Sequence, residues 1–166
     1  MIRTVQTEII TETIKKMCIE ANYSLSSDMV KAMRKAEEKE ESVLGKQILA
    51  QLQDNLEIAA SDMIPICQDT GMAVVFLEVG QDVHFEGGSF EDAVNEGVRR
   101  GYTEGFLRKS VVGDPILREN TKDNTPAVIH TRIVEGDRVK ITVAPKGFGS
   151  ENMSRCLLYT SPSPRD

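Results

Sequence analysis

The sequence predicts an α+β fold, with N-terminal helices followed by a mixed sheet and one further helix. Three observations predict it: helical spacing of apolar residues through the first third, a short apolar run after Pro65, and two alternating runs on either side of residue 136. Helical and strand-like segments are thus largely segregated along the chain, which is typical of the α+β class.

Apolar residues repeat at three- and four-residue steps in the first third of the chain, which predicts three amphipathic helices. The first spans roughly residues 4 to 22 and carries Cys18 on its apolar stripe. The second begins at Ser27 or Asp28, both good N-caps, and ends in the charged run 37–41. The third starts near Leu44 and closes near Ser61.

The middle of the chain predicts a buried strand and a fourth helix. Residues 72–77 are apolar and rich in strand formers. Ser89 is the predicted N-cap of the helix, whose sequence contains the glycine row Gly97, Gly101 and Gly105. An interior glycine costs a helix up to about 1 kcal/mol relative to alanine. The row therefore indicates close approach of either another backbone or a ligand, and we favour a packing groove over a ligand contact.

The last third predicts an ordered loop and two strands. Residues 114–126 combine proline, asparagine and mixed charge, which is typical of a functional loop. Residues 127–134 and 138–144 alternate like strands, and Glu135-Gly136-Asp137 between them favours a hairpin. A glycine-rich turn follows at 145–150.

Composition limits the classes of function. The 166 residues carry a formal charge of −6, which argues against a general nucleic-acid binder. The longest stretch without charge, 156–164, is too short to span a bilayer, and charges interrupt the first twenty residues, so we expect no membrane span, no signal peptide and a cytoplasmic location. Three widely spaced cysteines favour reduced thiols over disulfides.

Several enzyme signatures are missing from the sequence. It has neither a Gly-x-Ser-x-Gly elbow nor a Walker loop, and Asn152 stands where a dinucleotide fingerprint needs its third glycine. The two histidines, His84 and His130, lack zinc-ligand spacing and are interpreted as ordinary side chains.

The densest polar cluster is Pro-Ile-Cys-Gln-Asp-Thr-Gly at residues 65–71, between a helix and a strand. The simplest interpretation is a tight turn in which Asp69 caps the backbone and Gly71 supplies a positive φ. A second hypothesis reads Asp-Thr-Gly at 69–71 as an aspartic protease triplet, a three-residue match that would require a dimer. A third makes Cys67 a thiolate ligand of iron–sulfur or zinc, with Gln68 and Asp69 aimed at the same site.

Four segments of the sequence stand out as ordered motifs. They are residues 65–71, residues 101–110 (Gly-Tyr-Thr-Glu-Gly-Phe-Leu-Arg-Lys-Ser), residues 123–127 (Asp-Asn-Thr-Pro-Ala) and residues 145–154 (Pro-Lys-Gly-Phe-Gly-Ser-Glu-Asn-Met-Ser). Together they resemble class I, iron–sulfur-dependent fumarate hydratase, specifically its alpha subunit or N-terminal region, and the resemblance covers roughly residues 5 to 154. Tartrate dehydratase alpha subunits are similar around the first motif and less so in the fourth.

The resemblance implies a 4Fe-4S cluster held by three cysteines, with one iron open to substrate. Cys67 matches the first ligand, and the other two are expected further downstream than this chain extends. Residues 1–154 would then be the N-terminal part of a hydro-lyase alpha domain. The stretch from Arg155 onward departs from the family, and residues 157–166 are similar to translated adapter sequence, so we expect a non-native tail at 155–166 and exclude Cys156 as a ligand.

The resemblance also implies roles for individual residues. Gln68 and Asp69 would touch a dicarboxylate such as fumarate or malate, with Asp69 a candidate for proton transfer. Arg108 would pair with a substrate carboxylate, although from the residues alone an exposed helix-end arginine is an equal alternative. The backbone at Gly149 would cradle an oxygen, with Lys146 a weaker candidate.

The same resemblance implies a beta subunit or beta domain that completes the site, in an oligomer. This chain alone is therefore expected to be inactive. A related tartrate or mesaconate dehydratase and a non-catalytic assembly subunit are the alternatives that stay open.

Overall fold

A computed structural model describes residues 2–149 and confirms the α+β class. The predicted tail at 155–166, together with Asn152 and Cys156, lies outside the described residues. The helices are α1 (Thr7–Tyr23), α2 (Ser27–Lys39), α3 (Val43–Asp62) and α4 (Phe90–Glu104). The strands are β1 (Arg3–Gln6), β2 (Met72–Gly80), β3 (Val83–Glu86), β4 (Val128–Val134) and β5 (Val139–Lys146).

Helices α1 and α4 pack closely on each other because glycines remove side chains from their interface. A Cβ atom on Gly97 would lie 2.7 Å from the Thr11 carbonyl oxygen, and one on Gly101 would lie 2.8 Å from the Cys18 Cβ. The glycine row is therefore a packing groove, as favoured above. Cys18 is buried on the α1 stripe as predicted, and burial raises the pKa of its thiol to about 12.

Helices α2 and α3 form a pair with little buried surface of their own. The N-cap of α2 is Ser26, one residue before the predicted start, and no α2 residue is buried. In α3 the Ser42 hydroxyl accepts a hydrogen bond from the Gly45 N–H at 3.3 Å, which is an N-cap contact. The predicted α3 stripe is largely exposed, since Leu44 retains 64% of its accessible surface.

Strand β2 is the centre of a three-stranded sheet, with β4 parallel on one side and β5 antiparallel on the other. The predicted hairpin between β4 and β5 is therefore wrong, because β2 lies between them. The connection crosses the end of β2: the Gly80 N–H donates to the Arg138 carbonyl at 2.8 Å, and a Cβ on Gly80 would lie 2.3 Å from the Gly136 carbonyl oxygen. The turn at 135–137 thus caps β2 instead of closing a hairpin.

A second, two-stranded sheet was not predicted. Strands β1 and β3 pair in parallel, with Arg3 opposite Val83. Residues 4–6, assigned above to the first helix, belong to β1, and α1 starts at Thr7.

The core lies between β2 and the pair α1 and α4. Val75, Leu77, Val94 and Val98 are at most 1% exposed. Phe106 lies beyond the end of α4 and is 89% exposed. Within residues 2–149, no helix is long and apolar enough to cross a membrane.

Candidate functional site

The turn that precedes β2 is held in place by hydrogen bonds with three helices, α1, α3 and α4. The Asn55 side chain donates to the Ile66 carbonyl at 3.0 Å, and the Ile66 N–H donates to the Asn22 carbonyl at 2.9 Å. On the other side, the buried Tyr102 hydroxyl of α4 donates to the Thr70 carbonyl at 2.9 Å. The polar cluster 65–71 is thus a supported turn.

Asp69 lies where the turn before β2 meets the turn after β5. Its Oδ2 accepts hydrogen bonds from the backbone N–H groups of Phe148 at 2.8 Å and Gly149 at 3.1 Å. Its Oδ1 accepts from the Gly71 N–H at 3.1 Å. Asp69 therefore does act as the predicted backbone cap, and it also bridges two segments.

These contacts lower the pKa of the Asp69 carboxyl. The N–H groups of Gly149 and Phe148 hold the pKa of this carboxyl below its usual range, with smaller help from the Gly71 N–H and the positive charge of Arg108, and against a small effect of burial. The carboxylate is therefore ionised at neutral pH. That is the state a proton acceptor needs, although a low pKa also makes it a weak base.

Cys67 and Gln68 are exposed at the outer side of the same turn. The Cys67 sulfur accepts the Asp69 N–H at 3.4 Å and lies 3.5 Å from Gln68 Oε1. A free, exposed thiol at a turn next to a carboxylate suits a metal or cluster ligand. No group of three or more His, Cys, Asp or Glu residues within 2–149 is placed to hold a metal ion, so Cys67 would need ligands from elsewhere.

Arg108 follows α4 and is exposed next to this turn. Its carbonyl accepts a hydrogen bond from the Thr70 hydroxyl at 3.1 Å, and its charge acts on Asp69. The segment that carries Arg108 is therefore attached to the turn that carries Asp69. The predicted site residues Cys67, Gln68, Asp69 and Arg108 come together at one end of the sheet.

Lys146 and Gly149 lie on the β5 side of this site. Lys146 pairs with Met72 across the sheet, and its ammonium group donates to the Gly147 carbonyl at 2.6 Å. The Gly149 N–H points at Asp69, so the predicted anion nest holds a carboxylate of the chain itself. A role of Gly149 toward substrate stays a prediction.

Asn124 is the member of this neighbourhood whose role sequence reasoning missed. Its side chain is fully buried, its Oδ1 accepts from the N–H groups of Ser110 and Val111, and its Nδ2 donates to the Gly71 carbonyl. The signal available in the sequence was its place in the Asp-Asn-Thr-Pro-Ala motif inside a loop already considered functional.

The histidines play no part in this arrangement of residues. His130 stacks on Phe76, with ring centroids 5.1 Å apart, and His84 lies in β3. Both are accounted for as ordinary side chains of the strands.

Comparison with known proteins shows what this chain is similar to. A family described as fumarate hydratase (fumerase) matches residues 11–164. The "Putative L(+)-tartrate dehydratase subunit alpha" of Methanocaldococcus jannaschii is 34% identical over 151 residues, which cover 87% of this chain and 53% of that protein. The family match includes the Asp-Thr-Gly triplet and so favours a hydratase over a protease.

Two fumarate hydratases are also similar. The anaerobic class I enzyme of Escherichia coli K12 is 39% identical over 109 residues, covering 64% of this chain and 20% of the enzyme. "Fumarate hydratase 2" of Leishmania major is 30% identical over 158 residues, covering 93% of this chain and 27% of the enzyme. The chain thus spans about half the length of the tartrate dehydratase subunit and a smaller share of the hydratases.

Proposed function

This chain belongs to the class I fumarate hydratase family, and from that premise we propose that it is the alpha portion of an iron–sulfur hydro-lyase. The proposed reaction adds water reversibly across the double bond of fumarate to give malate. One observation supports it above the others: an exposed thiol, an ionised carboxylate and an arginine lie together at one end of the sheet.

Cys67 would be one of three thiolate ligands of a 4Fe-4S cluster. When bound, the cluster supplies a Lewis-acidic iron for the hydration. Cys67 suits this part because its thiol is free and exposed, and because its turn is fixed by Asn22 and Asn55. The remaining two cysteines would come from polypeptide outside this chain.

Arg108 would bind one carboxylate of the substrate. A guanidinium matches a carboxylate with two parallel hydrogen bonds, which fixes the orientation of the substrate as well as its position. The exposed side chain is available for that contact, since no hydrogen bond or ion pair joins it to another side chain within residues 2–149. The Gln68 amide would contact the same substrate from the outer side of the turn.

Asp69 would hold or move a proton. Hydration places a hydroxyl group on one carbon of the double bond and a proton on the other, so the site needs a group that accepts a proton from water or donates one to carbon. Asp69 is ionised and oriented by three N–H donors, which leaves it as an acceptor in a fixed position. A beta subunit or beta domain would supply the partner groups.

The experiment is to express the complete reading frame that contains this chain together with its beta partner, without oxygen. We expect a brown protein that converts fumarate to malate, followed by NMR, and that loses activity in air. A colourless and fully active preparation would overturn the proposal. If Cys67→Ser leaves activity intact, a non-catalytic assembly role is favoured instead.

Tartrate dehydration is the second candidate, because the tartrate dehydratase alpha relative covers most of this chain. The same preparation should be offered tartrate and mesaconate. Turnover of either in the absence of fumarate hydration would move the assignment to that dicarboxylate.

A further inference from the structure

We propose that Asn124 is a positioning residue that fixes the Arg108 segment relative to Asp69. The inference rests on the proposed function, because it assigns Asn124 to the dicarboxylate site. The Asn124 side chain is hydrogen-bonded to neither the Arg108 nor the Asp69 side chain. It acts through hydrogen bonds to the backbone of the two segments that carry them.

On one side, the Asn124 side chain is hydrogen-bonded to the segment that follows Arg108. Its Oδ1 accepts hydrogen bonds from the Ser110 N–H at 2.7 Å and the Val111 N–H at 3.1 Å. Two donors on one oxygen fix both the position and the direction of the backbone two and three residues after Arg108. The Thr70 hydroxyl donates to the Arg108 carbonyl itself at 3.1 Å, so the segment is also attached directly to the turn.

On the other side, the Asn124 side chain is hydrogen-bonded to the turn that carries Asp69. Its Nδ2 donates to the Gly71 carbonyl at 3.1 Å, and the Gly71 N–H donates to Asp69 Oδ1 at 3.1 Å. Gly71 has little freedom to move, because it lies against the Lys146 carbonyl so tightly that a Cβ atom would be 2.1 Å from that oxygen. A single residue, Gly71, therefore links the Asn124 side chain to the Asp69 carboxylate.

Asn124 is itself held rigidly. Its side chain is 0% exposed, and its backbone has a φ of 63°, a conformation that asparagine tolerates better than most residues. The preceding Asp123 accepts from the Thr125 N–H and hydroxyl and forms an ion pair with Arg99 of α4 at 3.0 Å. The ion pair with α4 thus fixes the position of Asn124 and its neighbours. A substitution of Asn124 should therefore shift the segment that carries Arg108.

The loop provides a matched control in Asn120. Its side chain also accepts from a backbone N–H, that of Lys122 at 2.6 Å, and donates to a backbone carbonyl, that of Lys109 at 2.8 Å. The Lys109 carbonyl belongs to the segment that follows Arg108, so Asn120 holds that segment as well, but neither contact reaches the turn of Asp69. Asn120→Asp and Asn124→Asp are therefore the same chemical change, of which only the second breaks the link from this segment to Gly71.

The test uses the complete enzyme with its beta partner. Asn124→Asp keeps an oxygen that accepts from Ser110 and Val111 but loses the donor to Gly71 and sets a carboxylate against that carbonyl. We expect KM for fumarate, and the Kd of the unreactive dicarboxylate succinate measured by calorimetry, to rise about tenfold with a smaller change in kcat. Asn120→Asp leaves the hydrogen bond between Asn124 and Gly71 intact and should raise both constants less than Asn124→Asp does.

A double-mutant cycle separates positioning from general stability. If Asn124 acts through Arg108, then Asn124→Asp should barely change the succinate Kd in an Arg108→Gln background. Equal effects in both backgrounds, or an unchanged Kd in Asn124→Asp alone, would overturn the proposal. If the unmutated enzyme binds succinate but hydrates no fumarate, the proposed reaction fails while the cycle still decides the role of Asn124.

A second variant covers the case in which Asn124→Asp does not fold. Asn124→Gly accepts the positive φ and removes all three hydrogen bonds. It should show the same dependence on Arg108. If neither variant gives folded protein by circular dichroism, Asn124 is a structural requirement and the positioning role is rejected.

Discussion

The Asp69 carboxylate is bound by the backbone N–H of Gly149, with 3.1 Å between Oδ2 and nitrogen, although the two residues are 80 positions apart in the chain. The contact joins the turn before β2 to the turn after β5. Since β2 and β5 are paired from Met72 and Lys146 onward, the sheet brings the two turns together. The pKa and the orientation of the proposed proton-transfer residue therefore depend on strand pairing as well as on its own turn.

Arg108→Gln should raise KM for the dicarboxylate by roughly 30- to 100-fold with a smaller change in kcat, because a charge-assisted pair with a carboxylate is replaced by a neutral contact. Steady-state kinetics of the complete enzyme measures this. Arg118→Gln is the control, since Arg118 is exposed on the neighbouring loop and should leave KM unchanged. An unchanged KM in Arg108→Gln would return Arg108 to the status of a surface residue.

Cys67→Ser should reduce the iron and sulfide content of the purified complete enzyme, because a hydroxyl is a poor replacement for a thiolate ligand. Visible absorbance and chemical iron analysis measure this without reference to activity. Cys18→Ala should keep its iron, since Cys18 is buried between α1 and α4. Full iron content in Cys67→Ser would contradict the ligand assignment.

Gly71→Ala should destabilise the protein by about 3 kcal/mol, because its φ of 64° is strained for alanine and the new methyl group would overlap the Lys146 carbonyl. Gly136→Ala shares a positive φ of 99° but faces open space, and should cost only about 1 kcal/mol. Urea unfolding of both variants compares the two costs. Equal losses would show that the contact with β5 contributes nothing.

Asp123→Asn should destabilise the protein at neutral pH and have little effect in acid. Burial opposes ionisation of Asp123, but the Thr125 N–H and hydroxyl and the Arg99 guanidinium outweigh it and lower its pKa to about 2. A lowered pKa in the folded state stabilises that state above the unfolded pKa of about 3.9, and the benefit disappears as the pH falls toward about 2.

Asp123→Asn should lower the free energy of unfolding by about 2 kcal/mol at neutral pH, because the pKa of Asp123 falls from about 3.9 in the unfolded chain to about 2 in the folded protein. Urea unfolding of the purified chain and its Asp123→Asn variant at about pH 6 and about pH 3 measures the change with pH. A difference between the two proteins that does not shrink in acid would rule out this origin.

The helices could be predicted because each carries its own signal. Apolar spacing and the Ser89 N-cap are local, and α4 begins where that cap places it. The two strands of the small sheet could not be predicted from local pattern, because β1 and β3 have four residues each and gain their structure only from pairing with each other. The hairpin was wrong because no local pattern shows that β2 lies between β4 and β5.

The site divides in the same way. Cys67, Asp69 and Arg108 could be named from motifs, since motifs record which residue types stand together in sequence. The bridge through Asn124 and the N–H groups that hold Asp69 depend on contacts between distant segments. Every residue except proline has a backbone N–H, so residue type does not show which group that N–H binds. The sequence could therefore suggest the turn at Gly149 but not its contact with Asp69.

The position of β5 at the end of the described chain has a consequence for biosynthesis. A ribosome that adds roughly 5–20 residues per second needs about 4–16 s to travel from Asp69 to Gly149. Throughout that interval the nascent polypeptide carries Asp69 without the Phe148 and Gly149 amides that later bind its carboxylate. On the proposed function, a cluster loaded before that interval ends would meet an incomplete site, so we expect maturation to follow the docking of β5.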